Sequence, residues 1–273
     1  MSEKIKLSEY IDNNEIEWNE ISRKDAKKII EFINFQTGHD LYEISKCKDE
    51  RQVFQALGIW LLNFFPTELQ QGLKIINYDY NKLKKHFITG FILSVSRGRE
   101  NVPFLYKVLV KSNIIEKAIE YEDGYNEIIT KEFGKIGFWK ARDSFTDDEA
   151  TIKYIDKMGN RIKESCHEVS LFLIKKFPEF SAVTSICNKP INNKYYHSFV
   201  LDSENYVIDL TGNIIIPKDE FYMLKEVEEL NTINYEEYKK ECNVSAQYDE
   251  SGTLEPLLRI AVYKELQKNN KHM

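Results

Sequence analysis

Three residues of this chain could together make a nucleophile: Cys166, His197 and Asp209. Cys166 stands in Ser165-Cys166-His167-Glu168, which has the capping-box form, with Ser165 at the N-cap and Glu168 at the third helical position. Val169, Phe172, Leu173 and Phe177 follow at helical spacing until Pro178 stops them. Cys166 is therefore expected at the first position of a helix. There the unpaired backbone N–H groups and the positive end of the helix dipole favour the thiolate over the thiol. The thiolate is the nucleophilic form, and the same N–H groups could later stabilise an oxyanion on an acyl carbon.

A thiol that is to react at neutral pH also needs a base, and His197 is the candidate. It lies in Tyr195-Tyr196-His197-Ser198-Phe199-Val200-Leu201, where alternation puts Tyr195, His197, Phe199 and Leu201 on one face of a strand. Asp209 lies in the next strand, Tyr206 to Leu210. The two side chains share a face only if the intervening hairpin has an odd loop or a compensating bulge. Pairing Leu201 with Asn205 would set His197 directly opposite Asp209. A carboxylate beside the imidazole would fix its tautomer and stabilise the imidazolium.

These residues need a helix and a hairpin to hold them, and the pattern after Thr146 supplies both. Thr146-Asp147-Asp148-Glu149 has the form of a capping box opening one helix, and the Cys166 helix follows. Ala182 to Cys187, Tyr195 to Leu201, Tyr206 to Leu210 and Ile214 to Ile216 read as strands. Asp202-Ser203-Glu204-Asn205 and Thr211-Gly212-Asn213 read as the turns between them. Lys218 to Glu229, Tyr235 to Cys242 and Leu254 to Gln267 return to helix, which makes an α+β domain. Before Phe145 the pattern predicts helices: one capped by Ser22, one over 49–65, one opened by Thr67, one over 80–95, and further pieces between Pro103 and Phe133. Gly124, Gly134 and Gly137 are expected to be breaks. The chain thus divides into a mostly helical region, 1–145, and a second domain, 146–273.

A cysteine at a helix N-terminus, a strand with His197-Ser198-Phe199-Val200 and a strand ending in Asp209-Leu210-Thr211 resemble the transglutaminase-like branch of the papain-like cysteine protease superfamily. The resemblance spans Thr146 to Leu224. It implies a central helix packed on a small antiparallel sheet and a cysteine-dependent acyl transfer on a peptide or protein amide. Cys166 would attack the carbonyl, and His197 would manage the protons. Peptidase or amidase chemistry comes first, with transglutaminase or deamidase as alternatives. An amide side chain six residues before the cysteine helps to form the oxyanion hole in papain-like peptidases, and Asn160 holds that position here. The helical region 1–145 would then select substrate, regulate the site or dock a protein partner.

Other readings of the same residues remain. Each of the three has a plain structural role open to it: a small buried thiol, a core histidine bonded to a carbonyl, a carboxylate capping the Thr211-Gly212 turn. The chain could keep the fold as a binding protein without catalysis. Cys166 and Cys187 could form a redox pair. Cys166, His167, Cys187 and His197 lack the closely spaced ligand pairs that organise zinc, so no metal and no cofactor are expected. The four cysteines have no paired spacing, and the N-terminal segment has no apolar signal core, which together suggest a reducing, cytoplasmic setting. A net charge of −6 supplies no electrostatic reason to expect nucleic acid, and no apolar run is long enough to span a membrane. With 273 residues, 42% of them hydrophobic, there is ample material for a packed core.

Overall fold

The computed structural model describes residues 80–99, 102, 106, 109, 110, 113–189, 193–249 and 252–270. The helices expected between Ser22 and Ile76 lie outside them. Within the described residues the chain is α+β. Strands β1 (Lys117–Glu120), β2 (Tyr125–Ile129), β3 (Lys135–Lys140), β4 (Ser181–Lys189), β5 (Asn193–Leu201), β6 (Tyr206–Asp209), β7 (Ile214–Pro217) and β8 (Glu228–Ile233) form one sheet. Their order is β1-β2-β3-β7-β6-β5-β4-β8. The pairings β3–β7, β7–β6, β6–β5 and β4–β8 are antiparallel. Among the described residues no helix is long and apolar enough to cross a membrane.

The chain divides into two compact units. The first comprises Met1–Ile119, Glu127–Ile136 and Lys189–Asn193. Its described helix, α1 (Tyr80–Ser96), buries Phe87, Ile88, Phe91 and Ile92, a face repeating at the helical period. It ends where Gly98 takes φ 59° and its N–H returns to the carbonyl of Val95.

The second unit comprises Glu120–Asn126, Gly137–Asn188 and Lys194–Met273. It carries α2 (Glu149–Met158), α3 (Cys166–Lys176), α4 (Lys218–Lys225), α5 (Tyr235–Ala246) and α6 (Pro256–Asn270). Ile155 and Met158 of α2, Val169, Leu173 and Ile174 of α3, and Leu257 and Ile260 of α6 share one core with Ala182, Val200, Ile208 and Ile233 of the sheet. In β5 the next residue along, Phe199, points to the other face and is buried against Phe221 of α4, with ring centres 4.9 Å apart. Each such ring contributes about 1.5–3 kcal/mol by leaving water.

Several expectations need correction. Residues 117–140 form strands rather than helices, and β3 pairs with β7 through Trp139↔Ile215, so the second unit begins before residue 146. Gly137 is a strand residue, not a break. The Tyr125 ring lies so close that a Cβ on Gly137 would stand 1.9 Å from its hydroxyl oxygen. The helix expected over Lys218 to Glu229 stops at Lys225. Glu226 adopts a left-handed φ of 48°, and β8 follows. Neither expected capping box forms: the N-cap residues Asp148 and Ser165 make no side-chain cap bond. A true capping box opens α5 instead, where Asn234 and Glu237 exchange bonds of 2.9 and 3.0 Å.

The hairpin between β5 and β6 does have the required odd loop. Val200 pairs with Ile208 and Leu201 with Val207. Asp202 Oδ1 accepts the backbone N–H groups of Glu204 and Tyr206, and Asn205 takes φ 65°, the left-handed residue that closes such a loop. The register is not the one expected, since Leu201 faces Val207 rather than Asn205. Continued by one step, it sets Asp209 across from Phe199, making His197 a diagonal neighbour of Asp209 on the same face.

Candidate active site

Cys166 is the first residue of α3 and is half-buried. A 3-10 turn, Gly159–Glu164, leads into the helix. This turn draws the Ser165 hydroxyl back to donate to the Arg161 carbonyl at 2.9 Å, away from the helix it precedes. The N–H groups of the first turn of α3, the turn that Cys166 opens, are therefore not occupied by their N-cap side chain. Glu168 pairs with Arg161 at 3.8 Å on the exposed side.

His197 of β5 and Asp209 of β6 are both buried, and Nε2 of the imidazole stands 3.0 Å from Oδ2 of the carboxylate. An ionised carboxylate only accepts, so Nε2 donates and Nδ1 is left for the thiol. Oδ1 of Asp209 accepts from Thr211 Oγ1 at 2.6 Å and from the Gly212 N–H at 2.9 Å. The same carboxylate thus closes the turn and orients the imidazole. The ring of His197 is bordered by Tyr195, Phe199 and Phe221, with centres 5.8, 6.1 and 6.5 Å away. Its carbonyl accepts from Ser185 Oγ at 3.1 Å, which fixes the backbone beneath it.

Electrostatics favour an ion pair at this place. Burial by itself pushes the Cys166 thiol up. Hydrogen bonds with His167 and His197, and the charge those rings can carry, outweigh it and bring the thiol down to about 6. Burial also disfavours a charged His197, yet the adjacent Asp209 carboxylate and its hydrogen bond raise the imidazole well above its ordinary 6.5. Asp209, although buried, is held well below the usual carboxylate range by His197, Thr211 and Gly212. Near neutral pH the favoured state is thiolate, imidazolium and carboxylate.

The structure brings Cys166, His197 and Asp209 together, and it adds a residue that the sequence pattern did not assign. His167 contacts the thiol and shares a 2.7 Å hydrogen bond between its Nδ1 and Ser198 Oγ, which in turn lies 3.0 Å from Thr184 Oγ1. Its place directly after the cysteine was the available signal. Asn160 sits exposed in the 3-10 turn, six residues before the thiol. Cys187 is buried, with its sulfur 3.5 Å from Ser185 Oγ, and Cys166, Cys187 and Cys242 are all free thiols. Among the described residues no three His, Cys, Asp or Glu side chains are placed to hold a metal ion.

Comparison of the chain with protein-family models, with curated proteins and with solved structures finds no match.

Proposed function

We propose that this protein catalyses cysteine-dependent acyl transfer on a peptide or protein amide, with hydrolysis as the first expectation. The observation that carries the reading is the 3.0 Å pairing of buried His197 with buried Asp209, beside a thiol at the start of α3. The Cys166 thiolate adds to the amide carbonyl, forming a C–S bond and an oxyanion that the open N–H groups of α3 can receive. The C–N bond then breaks as the His197 imidazolium gives its proton to the departing amine. Water, deprotonated by the now neutral His197, adds to the thioester. The C–S bond breaks, and the acid leaves with Cys166 restored as thiolate. An amine in place of water would make the same sequence a transamidation.

The α+β setting, with a cysteine-bearing helix against a sheet that presents histidine and aspartate on adjacent strands, supports kinship with the transglutaminase-like branch of the papain-like proteases. Free thiols fit a reducing, cytoplasmic site of action.

Iodoacetamide labelling near neutral pH, mapped by mass spectrometry in the unmodified chain and in His197→Ala, tests the reading. Fast labelling confined to Cys166 and lost in the variant is the expected result. Labelling of Cys166 no faster than that of Cys47, Cys187 or Cys242 would leave a folded binding protein and end the enzyme reading.

A further inference from the structure

Most of the polar side chains around Cys166 are accounted for by the Asp209–His197 pair and the turn beneath it. His167 is not. It follows the cysteine on α3, is half-buried, and is one of the two imidazoles that draw the thiol down. Its other side is held: Nδ1 lies 2.7 Å from Ser198 Oγ. Ser198 is almost wholly buried and lies 3.0 Å from the buried hydroxyl of Thr184 in β4. A surface histidine that merely followed a cysteine would need no such seat.

The two hydroxyls allow this chain a direction that serves the thiol. Thr184 can donate to Ser198, which leaves the Ser198 hydrogen for His167 Nδ1, and the ring proton then sits on Nε2. Nε2 is the nitrogen left for the sulfur. Successive residues of β5 point to opposite faces, so His197 reaches the thiol from one face while Ser198 positions His167 from the other. The sulfur has two imidazole neighbours with different supports: a carboxylate behind His197 and a pair of neutral hydroxyls behind His167. A hydroxyl cannot stabilise a charged ring as a carboxylate does, so the two rings are suited to different work.

We propose that His167 is a second imidazole of the site, seated by Ser198 so that it donates a hydrogen bond to the Cys166 sulfur and keeps it as thiolate while His197 moves the protons. Ser198 and Thr184 are positioning residues that act through His167. This division of labour rests on the acyl-transfer reading, since it gives the nucleophile a stabilising donor that does not leave with the proton of the amine. When His197 is neutral, after the amine departs, His167 still holds the sulfur in its thioester geometry.

The test is the pH profile of iodoacetamide labelling at Cys166 in the full chain, with thiolate absorbance as a second readout. The variants are His167→Ala, His167→Gln, Ser198→Ala and the double variant H167A/S198A, with circular dichroism to confirm folding. His167→Ala should move the profile upward by about one unit or more, so that labelling on its rising limb slows by about tenfold or more. His167→Gln, whose amide nitrogen can replace Nε2 as a neutral donor, should restore much of the loss. Ser198→Ala should shift the profile in the same direction by less, and should add nothing once His167 is gone. A profile unchanged in His167→Ala and Ser198→Ala overturns the proposal, as does a Ser198→Ala effect that persists in full without His167. If His167→Ala fails to fold, Ser198→Ala and His167→Gln decide between the same outcomes. The unmodified chain separates this inference from the one beneath it. Slow labelling there ends the acyl-transfer reading and the present one with it, whereas fast labelling that is indifferent to His167 ends only the present one.

Discussion

Replacing Asp209 by asparagine asks whether a carboxylate that never touches the thiol nonetheless governs its reactivity. The amide keeps the shape of the side chain and one carbonyl oxygen, which can go on accepting from Thr211 and Gly212 as Oδ1 does at 2.6 and 2.9 Å. Its nitrogen then faces His197 Nε2, where Oδ2 now stands at 3.0 Å. Two donors cannot face one another, so the ring must carry its single proton on Nδ1 instead. A protonated Nδ1 cannot take the thiol proton, and an imidazolium would have lost its buried counter-charge. With the thiol at about 6, roughly nine-tenths of Cys166 is thiolate near pH 7; at its ordinary 9.0 only about one part in a hundred would be. That ratio, about 90-fold, is the ceiling on the loss of labelling rate. Because the His167 hydrogen bond survives, the expected loss lies between about 10- and 90-fold. The assay is pseudo-first-order iodoacetamide labelling of Cys166 between about pH 5 and pH 10, with urea unfolding as a control for the fold. The unmodified profile should rise through about 6 and flatten, and that of the variant should rise later. A folded Asp209→Asn protein that labels at the original rate with the original midpoint would refute the coupling.

Two further outcomes follow from the same structure. The folded-state value of the Cys166 thiol lies below that of an unfolded cysteine. Its contribution to stability is thus full above about 9 and is lost as pH falls through about 6. The stability of the unmodified chain relative to Cys166→Ser, read from urea midpoints, should accordingly grow as pH rises across that interval; a constant difference counts against the depressed thiol. Gly137→Ala would force the Tyr125 ring off its seat beside Trp139, whose centre is 4.6 Å away, and should destabilise the protein by about 1–3 kcal/mol. An unchanged unfolding midpoint would show that the ring moves aside freely.

The parts of this site that could be read from the sequence are those set by local pattern. Pro178 and the spacing of Val169 and Leu173 determine where α3 runs, and so place Cys166 at its first residue. The alternation in β5 and the composition of the Asp202–Asn205 turn identify the two strands that carry His197 and Asp209. Demanding a shared face for those two residues also predicted an odd loop. The exact register escaped because Asp202 binds two backbone N–H groups of the turn, so that Leu201 pairs across five residues rather than three, a choice made by one side chain. The strands β1, β2 and β8 escaped for another reason. Sequences such as Lys117-Ala118-Ile119-Glu120 and Glu228-Glu229-Leu230-Asn231 carry too few apolar residues to show a period, and they are strands because distant partners pair with them. The role of Ser165 could not be read locally either. Its hydroxyl had two candidate partners, and the 3-10 turn before it decided in favour of the Arg161 carbonyl. His167 needed Ser198 and Thr184 from two other elements before it acquired any meaning.

The carboxylate of Asp209 belongs at once to the turn after β6 and to the imidazole of His197. Local order in that turn and chemical competence at the thiol are therefore a single cooperative unit. Whatever frays the Thr211–Gly212 turn must also release the imidazole, and whatever neutralises the imidazole removes part of what holds the turn. Amide exchange at Gly212, far easier to follow than turnover of an unknown substrate, should keep time with the reactivity of Cys166. A ligand that seats against His197 would announce itself there by slowing that exchange, which makes one backbone proton a reporter for substrate discovery.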